Sequence, residues 1–233
     1  MRYEAIMFDL DGTLLPMDND EFTKGYLAML ARSVAPLGYS ADAMIPAMWR
    51  GVGAMVKNTG ERLNSELFWQ TFSATLGKSC EEDIPKFDNF YKTEFKDAVR
   101  FTQPTPMALK AVEAAKKSAD KVVLATNPFF PLVAVEARLA WTGIAPDAFD
   151  HITHYDNSSR CKPNPDYYRE IAEKIGVDLS KCLMVGNNAE EDIRAAQAAG
   201  MSTFLLTDCL ICEGEMPDTP KGDFTALLSF LGK

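Results

Sequence analysis

The chain has 233 residues, 47% of them hydrophobic and 24% charged, with 24 Lys+Arg against 33 Asp+Glu for a net charge of −9. That is apolar material for one large domain or for a core carrying an insert, and no basic run or stripe offers itself to nucleic acid. No stretch approaches a membrane span, the N-terminal segment is too short and acidic for a signal peptide, and cysteines at 80, 161, 182, 209 and 212 are scattered as reduced thiols would be, so the expectation is a cytoplasmic protein.

Residues 3–9 are strand-like. The apolar run Ala5-Ile6-Met7-Phe8 stops abruptly at Asp9-Leu10-Asp11-Gly12-Thr13, which reads as a buried parallel strand with polar groups at its C-terminal end, where open α/β sheets place their chemistry. In extended chain Asp9 and Asp11 share a face, and two neighbouring carboxylates call for a cation or a proton between them. Gly12 lets the backbone turn sharply.

From about 18 to 98 the pattern is helical throughout. Tyr26, Leu27, Leu30 and Val34 form one apolar stripe; Leu67, Phe68, Thr71, Phe72 and Leu76 a second; Phe87, Phe90, Tyr91 and Phe95 a third. Gly38, Gly60, Gly77, Pro46 and Pro85 are expected to punctuate them. Beyond Thr102 helices and strands alternate: a helix over Pro104–Lys117 opening at Thr102 or Thr105, a strand over Lys121–Ala125, a helix from about Phe130 to Trp141, and a helix over Pro165–Ile175. A strand over Cys182–Val185, a helix over Glu190–Ala199 ended by Gly200, and a strand over Ser202–Leu206 follow. The alternation predicts an α/β fold, a doubly wound parallel-sheet core with an inserted all-helical domain. The boundaries expected are 1–17 with 100–233 for the core and 18–99 for the insert.

Three further segments fall at element ends: Ala125-Thr126-Asn127-Pro128 after an apolar strand, Lys162-Pro163-Asn164-Pro165 before a helix, and Gly186-Asn187-Asn188-Ala189-Glu190-Glu191-Asp192 after another strand. Together with Asp9-x-Asp11-Gly12-Thr13, their order resembles the four motifs of the haloacid dehalogenase-like (HAD) superfamily, phosphatase branch, and the insert stands where that family carries a helical cap of the C1 type. The resemblance implies a Rossmann-like core and a phosphatase acting on a small phosphorylated metabolite. Asp9 would be the nucleophile that becomes an aspartyl-phosphate, and Asp11 the acid to the leaving alcohol and then the base to water. Thr126, Asn127 and Lys162 would hold the phosphoryl group, with Thr13 structural. Magnesium would be held by Asp9, the backbone carbonyl of Asp11, Asn187 and Asp192.

The fourth motif departs from the family pattern, because Asn187 stands where most relatives have an aspartate. An amide oxygen ligates without the carboxylate charge, which lowers metal affinity unless Glu191 or Asp192 compensates. The acids at 190–192 also suit the N-terminus of a helix irrespective of metal. A phosphomutase of the β-phosphoglucomutase kind and a non-catalytic phospho-ligand binder remain alternatives. Cys209 and Cys212 lack a second pair or a His cluster and carry no metal or redox expectation, and His151 and His154 are read as structural. Of Trp49, Arg50, Lys57 and Arg62 in the insert, Arg50 beside Gly51-Val52-Gly53 is the one expected to reach a leaving group.

Overall fold

Residues 3–232 are described in a computed structural model; positions 1, 2 and 233 of the expected core lie outside that range. Strand β1 (Tyr3–Phe8) lies between β2 (Ala119–Leu124) and β4 (Cys182–Gly186), and with β3 (His151–Ile152), β5 (Ser202–Leu206) and β6 (Lys221–Gly222) builds a six-stranded parallel sheet in the order β3-β2-β1-β4-β5-β6. Register pairs Phe8 with Leu124 on one side and with Val185 on the other, so Asp9, Ala125 and Gly186 leave the sheet side by side. The strand order reverses between β1 and β4, and a crevice opens outside the carboxyl ends at such a point.

Both faces of the sheet are covered, as the unbroken apolar runs of β1 and β4 require. Alternation of period two divides the side chains. Ile6, Phe8, Val122 and Leu124 join the larger core with α5 (Pro106–Ser118), α6 (Leu132–Thr142) and α9 (Phe224–Leu231). Ala5, Met7, Val123 and Met184 pack on the opposite face against Tyr167, Tyr168 and Ile171 of α7 (Asp166–Ile175) and Ala195 and Ala196 of α8 (Ala195–Ala198). Helix α5 starts at Pro106, with the Thr105 hydroxyl accepting from the Met107 N–H at 3.3 Å, which resolves the start left open between Thr102 and Thr105.

Between β1 and α5 the chain runs through α1 (Asn19–Val34), α2 (Ala41–Val56), α3 (Asn64–Leu76), α4 (Ile84–Lys92) and a 3₁₀ segment over Glu94–Phe101. Its two ends are stitched together: Met17 bridges Thr102, and the Gln103 N–H donates to the Pro16 carbonyl at 2.7 Å. An aromatic seam ties it to the core, with Phe22 of α1 6.3 Å from Trp141 and Tyr26 5.5 Å from Phe130 between ring centroids. Hydrophobic packing is continuous across the seam.

Several local expectations are corrected. Pro46 lies inside α2 and does not end it; the buried stripe of Met44, Ala47, Met48 and Met55 outweighs one forgone backbone hydrogen bond near the helix start. The helix expected over Glu190–Ala199 is a π-helical turn over Ala189–Arg194 followed by the single turn α8. Strand β3 answers to the strand end expected near His151 and His154, whereas the two-residue strand β6, too short to carry a period, and the helix α9 are not signalled by the sequence pattern. Among the described residues no helix is long and apolar enough to cross a membrane.

Candidate active site

The residues singled out at strand ends converge on the crevice above β1. Asp9, first beyond the strand, is fixed by its own N–H donating to the Val185 carbonyl at 3.0 Å. Its Oδ1 accepts from Lys162 Nζ at 2.9 Å and its Oδ2 from the Thr13 hydroxyl at 3.2 Å. Lys162 is buried and also donates to Asp192 Oδ1 at 2.6 Å, so one ammonium is clamped between two carboxylates. Burial alone would strip its proton, but Asp192 and Asp9 outweigh burial and hold its pKa well above the usual lysine range.

Asp192 has no free oxygen. Its Oδ2 accepts from the Asn188 N–H at 3.0 Å, and its side chain lies where a Cβ on Gly186 would stand, 2.2 Å from Oδ2, so only glycine fits at that strand end. Burial pushes the Asp192 carboxyl up to about 7, with Lys162 opposing. The Asn188 side chain caps the π turn, accepting from the Glu190 and Glu191 N–H groups.

Asn187 is oriented from both ends. Its amide nitrogen donates to the Cys209 carbonyl at 2.6 Å, and its oxygen accepts from the Thr13 hydroxyl at 3.0 Å. One hydroxyl thus touches both Asp9 and Asn187 and holds their oxygens close together, a placement beyond the structural role expected of Thr13. Gly12 (φ +82°) is needed here, since a Cβ would fall 2.3 Å from the Asn187 amide.

The residues expected to hold phosphate ring the same spot. Thr126, almost fully buried, is braced through its carbonyl by the Thr153 hydroxyl at 2.7 Å and the Tyr167 hydroxyl at 2.8 Å. Asn127 donates from Nδ2 to Glu191 Oε2 at 3.1 Å and to the Lys162 carbonyl at 3.4 Å, while its Oδ1 is buried with no partner among the described residues. Burial raises the Glu191 carboxyl.

Asp11 brings in a residue that motif reasoning missed. Its Oδ2 is ion-paired with Arg138, a fully buried residue of α6, whereas its Oδ1 is buried and unpartnered among the described residues. Arg138 also donates from Nε to the Ala134 carbonyl at 3.2 Å, and its guanidinium lies 4.2 Å from the Phe130 ring centroid. Burial raises the Asp11 carboxyl, Arg138 opposes, and the neighbouring Asp9 charge adds to the rise. A signal was present: Arg138 falls within the buried stripe Ala134, Val135, Leu139 and Thr142, where a charge must have a partner.

Asp9, Asp11, Thr126, Asn127, Glu191 and Asp192 open onto a cavity of about 250 Å³ whose other walls come largely from the helical segment. Arg50, Lys57 and Arg62 do not line it; Trp49 and Val52 do. The Cys209 segment serves through a backbone carbonyl, and both of its cysteines are free. His154 Nδ1 accepts from the Asp156 N–H at 3.3 Å, away from this cavity.

A hard divalent cation finds oxygen donors here. The amide nitrogen of Asn187 is satisfied by Cys209, which leaves its oxygen turned toward Asp9, and one carboxylate with neutral oxygens suits an ion that keeps several waters. No cluster of three or more His, Cys, Asp or Glu side chains assembles to hold a metal among the described residues, and Asp9 and Asp192 alike have both carboxylate oxygens hydrogen-bonded, each sharing the Lys162 ammonium. The oxygen donors of Asp9, Asn187 and Asp192 are of the kind that suits magnesium.

A model of haloacid dehalogenase-like hydrolases matches residues 3–200. A phosphoglycolate phosphatase of Vibrio parahaemolyticus is 31% identical over 210 residues, covering 88% of this chain and 83% of that one. The pyrophosphatase PpaX of Bacillus velezensis is 26% identical over 202 residues, 87% of this chain and 82% of that protein. The crystal structure of a HAD phosphatase from Thermococcus onnurineus matches with a TM-score of 0.62 at 21% identity, over 100% of this chain and 98% of that one, a likeness of fold. With the carboxylate pair beyond β1, the hydroxyl beyond β2, the lysine before α7 and the acid turn beyond β4 gathered in one crevice, the family match over most of its length means that the chain belongs to the haloacid dehalogenase-like hydrolases.

Proposed function

We propose that the protein is a magnesium-dependent phosphatase that hydrolyses a small phosphorylated metabolite through an aspartyl-phosphate on Asp9, with residues 18–99 acting as a cap over the site. The observation that carries this reading is the buried Lys162 ammonium at 2.9 Å from Asp9 Oδ1, directly behind the carboxylates that open onto the cavity.

In the first step a carboxylate oxygen of Asp9 attacks phosphorus and the ester oxygen leaves in line with it. Lys162 neutralises charge on the nucleophile and on a phosphoryl oxygen beside it, and Thr126 and Asn127 offer a hydroxyl and a backbone N–H to the remaining oxygens. Asp11 supplies the proton that the departing alkoxide needs. Arg138 holds and orients Asp11 through Oδ2, and burial favours the protonated form from which it must start. In the second step Asp11, now ionised, takes a proton from a water that attacks the aspartyl-phosphate, releasing phosphate and restoring both carboxyl groups. Asp9, the Asp11 carbonyl, Asn187 and Asp192 would hold a magnesium ion, which would supply charge neutralisation for the phosphoryl oxygens.

The test is phosphate release from a panel of phosphorylated metabolites and p-nitrophenyl phosphate, with and without magnesium, by the wild type and Asp9→Asn. Release that needs magnesium and disappears in Asp9→Asn is the expected result. A folded wild type that releases no phosphate from any substrate at high magnesium refutes the proposal.

A further inference from the structure

The wall of the cavity above Asp9 is chemically one-sided. Its floor is acidic, and the surfaces a leaving group would meet are aromatic: Tyr26, Trp49, Phe68, Trp69 and Tyr91 from the helical segment and Phe130 from the core. Among the described residues no Lys, Arg or His lines it. The two cations nearby lie behind the carboxylates and are already engaged, Lys162 by Asp9 and Asp192 and Arg138 by Asp11.

One further acid faces this space. Asp88 of α4 lines the cavity at its border with a neighbouring groove, half-buried and without a hydrogen-bond or salt-bridge partner among the described residues; burial raises its carboxyl, with the charge of Lys92 in that groove opposing. At the rim, Trp49 is 54% exposed, an unusual exposure for so large an apolar side chain on a helix whose inner stripe is otherwise well packed. An indole held open at the mouth of a cavity is a ready stacking surface.

A leaving group bearing a carboxylate or a second phosphate would lose its water here and gain no counter-charge. It would face Asp88 and the negative faces of aromatic rings. A flat, uncharged ring would exchange water for ring contacts on several sides. We propose that the phosphate ester turned over here carries an uncharged aromatic leaving alcohol, that Trp49 provides the face on which its ring stacks, and that Asp88 rejects leaving groups bearing a negative charge. The inference rests on the phosphatase reading and adds the substrate class to it.

Benzyl phosphate, glycerol 3-phosphate and 2-phosphoglycolate all release a primary alcohol, so differences among them report the cavity and not the reactivity of an aryl leaving group. The measurement is kcat/KM for the three, with magnesium, on the wild type, Trp49→Ala and Asp88→Asn. Benzyl phosphate is expected to exceed glycerol 3-phosphate by roughly tenfold or more and 2-phosphoglycolate by roughly a hundredfold. Trp49→Ala should lower the benzyl phosphate value more than the glycerol 3-phosphate value, and Asp88→Asn should narrow the gap to 2-phosphoglycolate. Wild type that uses 2-phosphoglycolate or glycerol 3-phosphate as well as benzyl phosphate overturns the inference and leaves the phosphatase reading standing. A folded enzyme that releases phosphate from none of the three, nor from the wider panel, overturns both.

Discussion

Arg138→Met isolates the buried ion pair that fixes Asp11. Methionine keeps much of the aliphatic stem within the buried stripe of α6, so the loss is the guanidinium, with its ion pair to Asp11 and its contact with the Phe130 ring. The Arg138 side chain is 0% exposed and that of Asp11 24%. Were both exposed, the pair would be worth about 0–1 kcal/mol. Removing one member of a fully buried pair costs about 3–5 kcal/mol, because the survivor is left as an uncompensated charge. Asp11 keeps some access to water, which places the cost near the lower bound, about 3 kcal/mol. For a chain of this size that corresponds to a fall in Tm of about 6–12 °C. Urea denaturation of the wild type, Arg138→Met, Asp11→Asn and the double variant closes a cycle in which the coupling should be about 2 kcal/mol. If Arg138→Met costs as much in the Asp11→Asn background as in the wild type, the two side chains do not stabilise one another and the account of Asp11 given above fails.

Three other perturbations test separate parts of the site. Burial raises the carboxyls of Asp11, Glu191 and Asp192, the last to about 7; the native state therefore binds protons more tightly than the unfolded chain, and the stability of the metal-free protein should fall as pH rises from about 4 to about 7. Urea midpoints across that window check this, Asp192→Asn should flatten the dependence, and midpoints that climb with pH contradict it. Gly12→Ala combines a left-handed backbone with a Cβ 2.3 Å from the Asn187 amide; it should cost about 1–2 kcal/mol or more and weaken magnesium binding measured by calorimetry, and unchanged affinity would show that Asn187 is not held by this loop. Asn187→Asp loses the donation to the Cys209 carbonyl and adds a charge beside Asp9. Without metal it should be less stable by about 1–3 kcal/mol, magnesium should stabilise it more than it stabilises the wild type, and equal stability without metal rules this out.

The central strands and the residues at their ends were legible because the sequence advertises them twice, once by apolar runs of strand length and once by polar residues where those runs stop. β1 and β4 are buried on both faces, so no alternation was needed to place Asp9 or Asn187. Arg138 was not legible as a partner of Asp11, because the two are far apart in sequence and meet only when α6 packs beneath the loop after β1. The stripe on α6 shows a charge that must be paired without naming its mate. The backbone carbonyl of Cys209 is a harder case, since any residue type could supply it. Trp49 was considered beside Arg50, and sequence alone favoured the charged neighbour; the pitch of α2 turns Trp49 and Val52 to the cavity and leaves Arg50 outside it.

The placement of Asn187 follows from the charges around it. The floor of the crevice gathers the carboxyls of Asp9, Asp11, Glu191 and Asp192 against two cations, Lys162 and Arg138. Each cation is shared with or paired to these acids, and burial already pushes three of the carboxyls upward. A fifth carboxylate at 187 would sit on the hydroxyl of Thr13 beside Asp9, with its second oxygen against the Cys209 carbonyl. A neutral amide satisfies both partners at once: its oxygen accepts from Thr13 and its nitrogen donates to Cys209. An amide at 187 therefore gives a site that is self-consistent without a cation, and on the proposed magnesium reading it leaves Asp9 and Asp192 as the carboxylates on which affinity would rest.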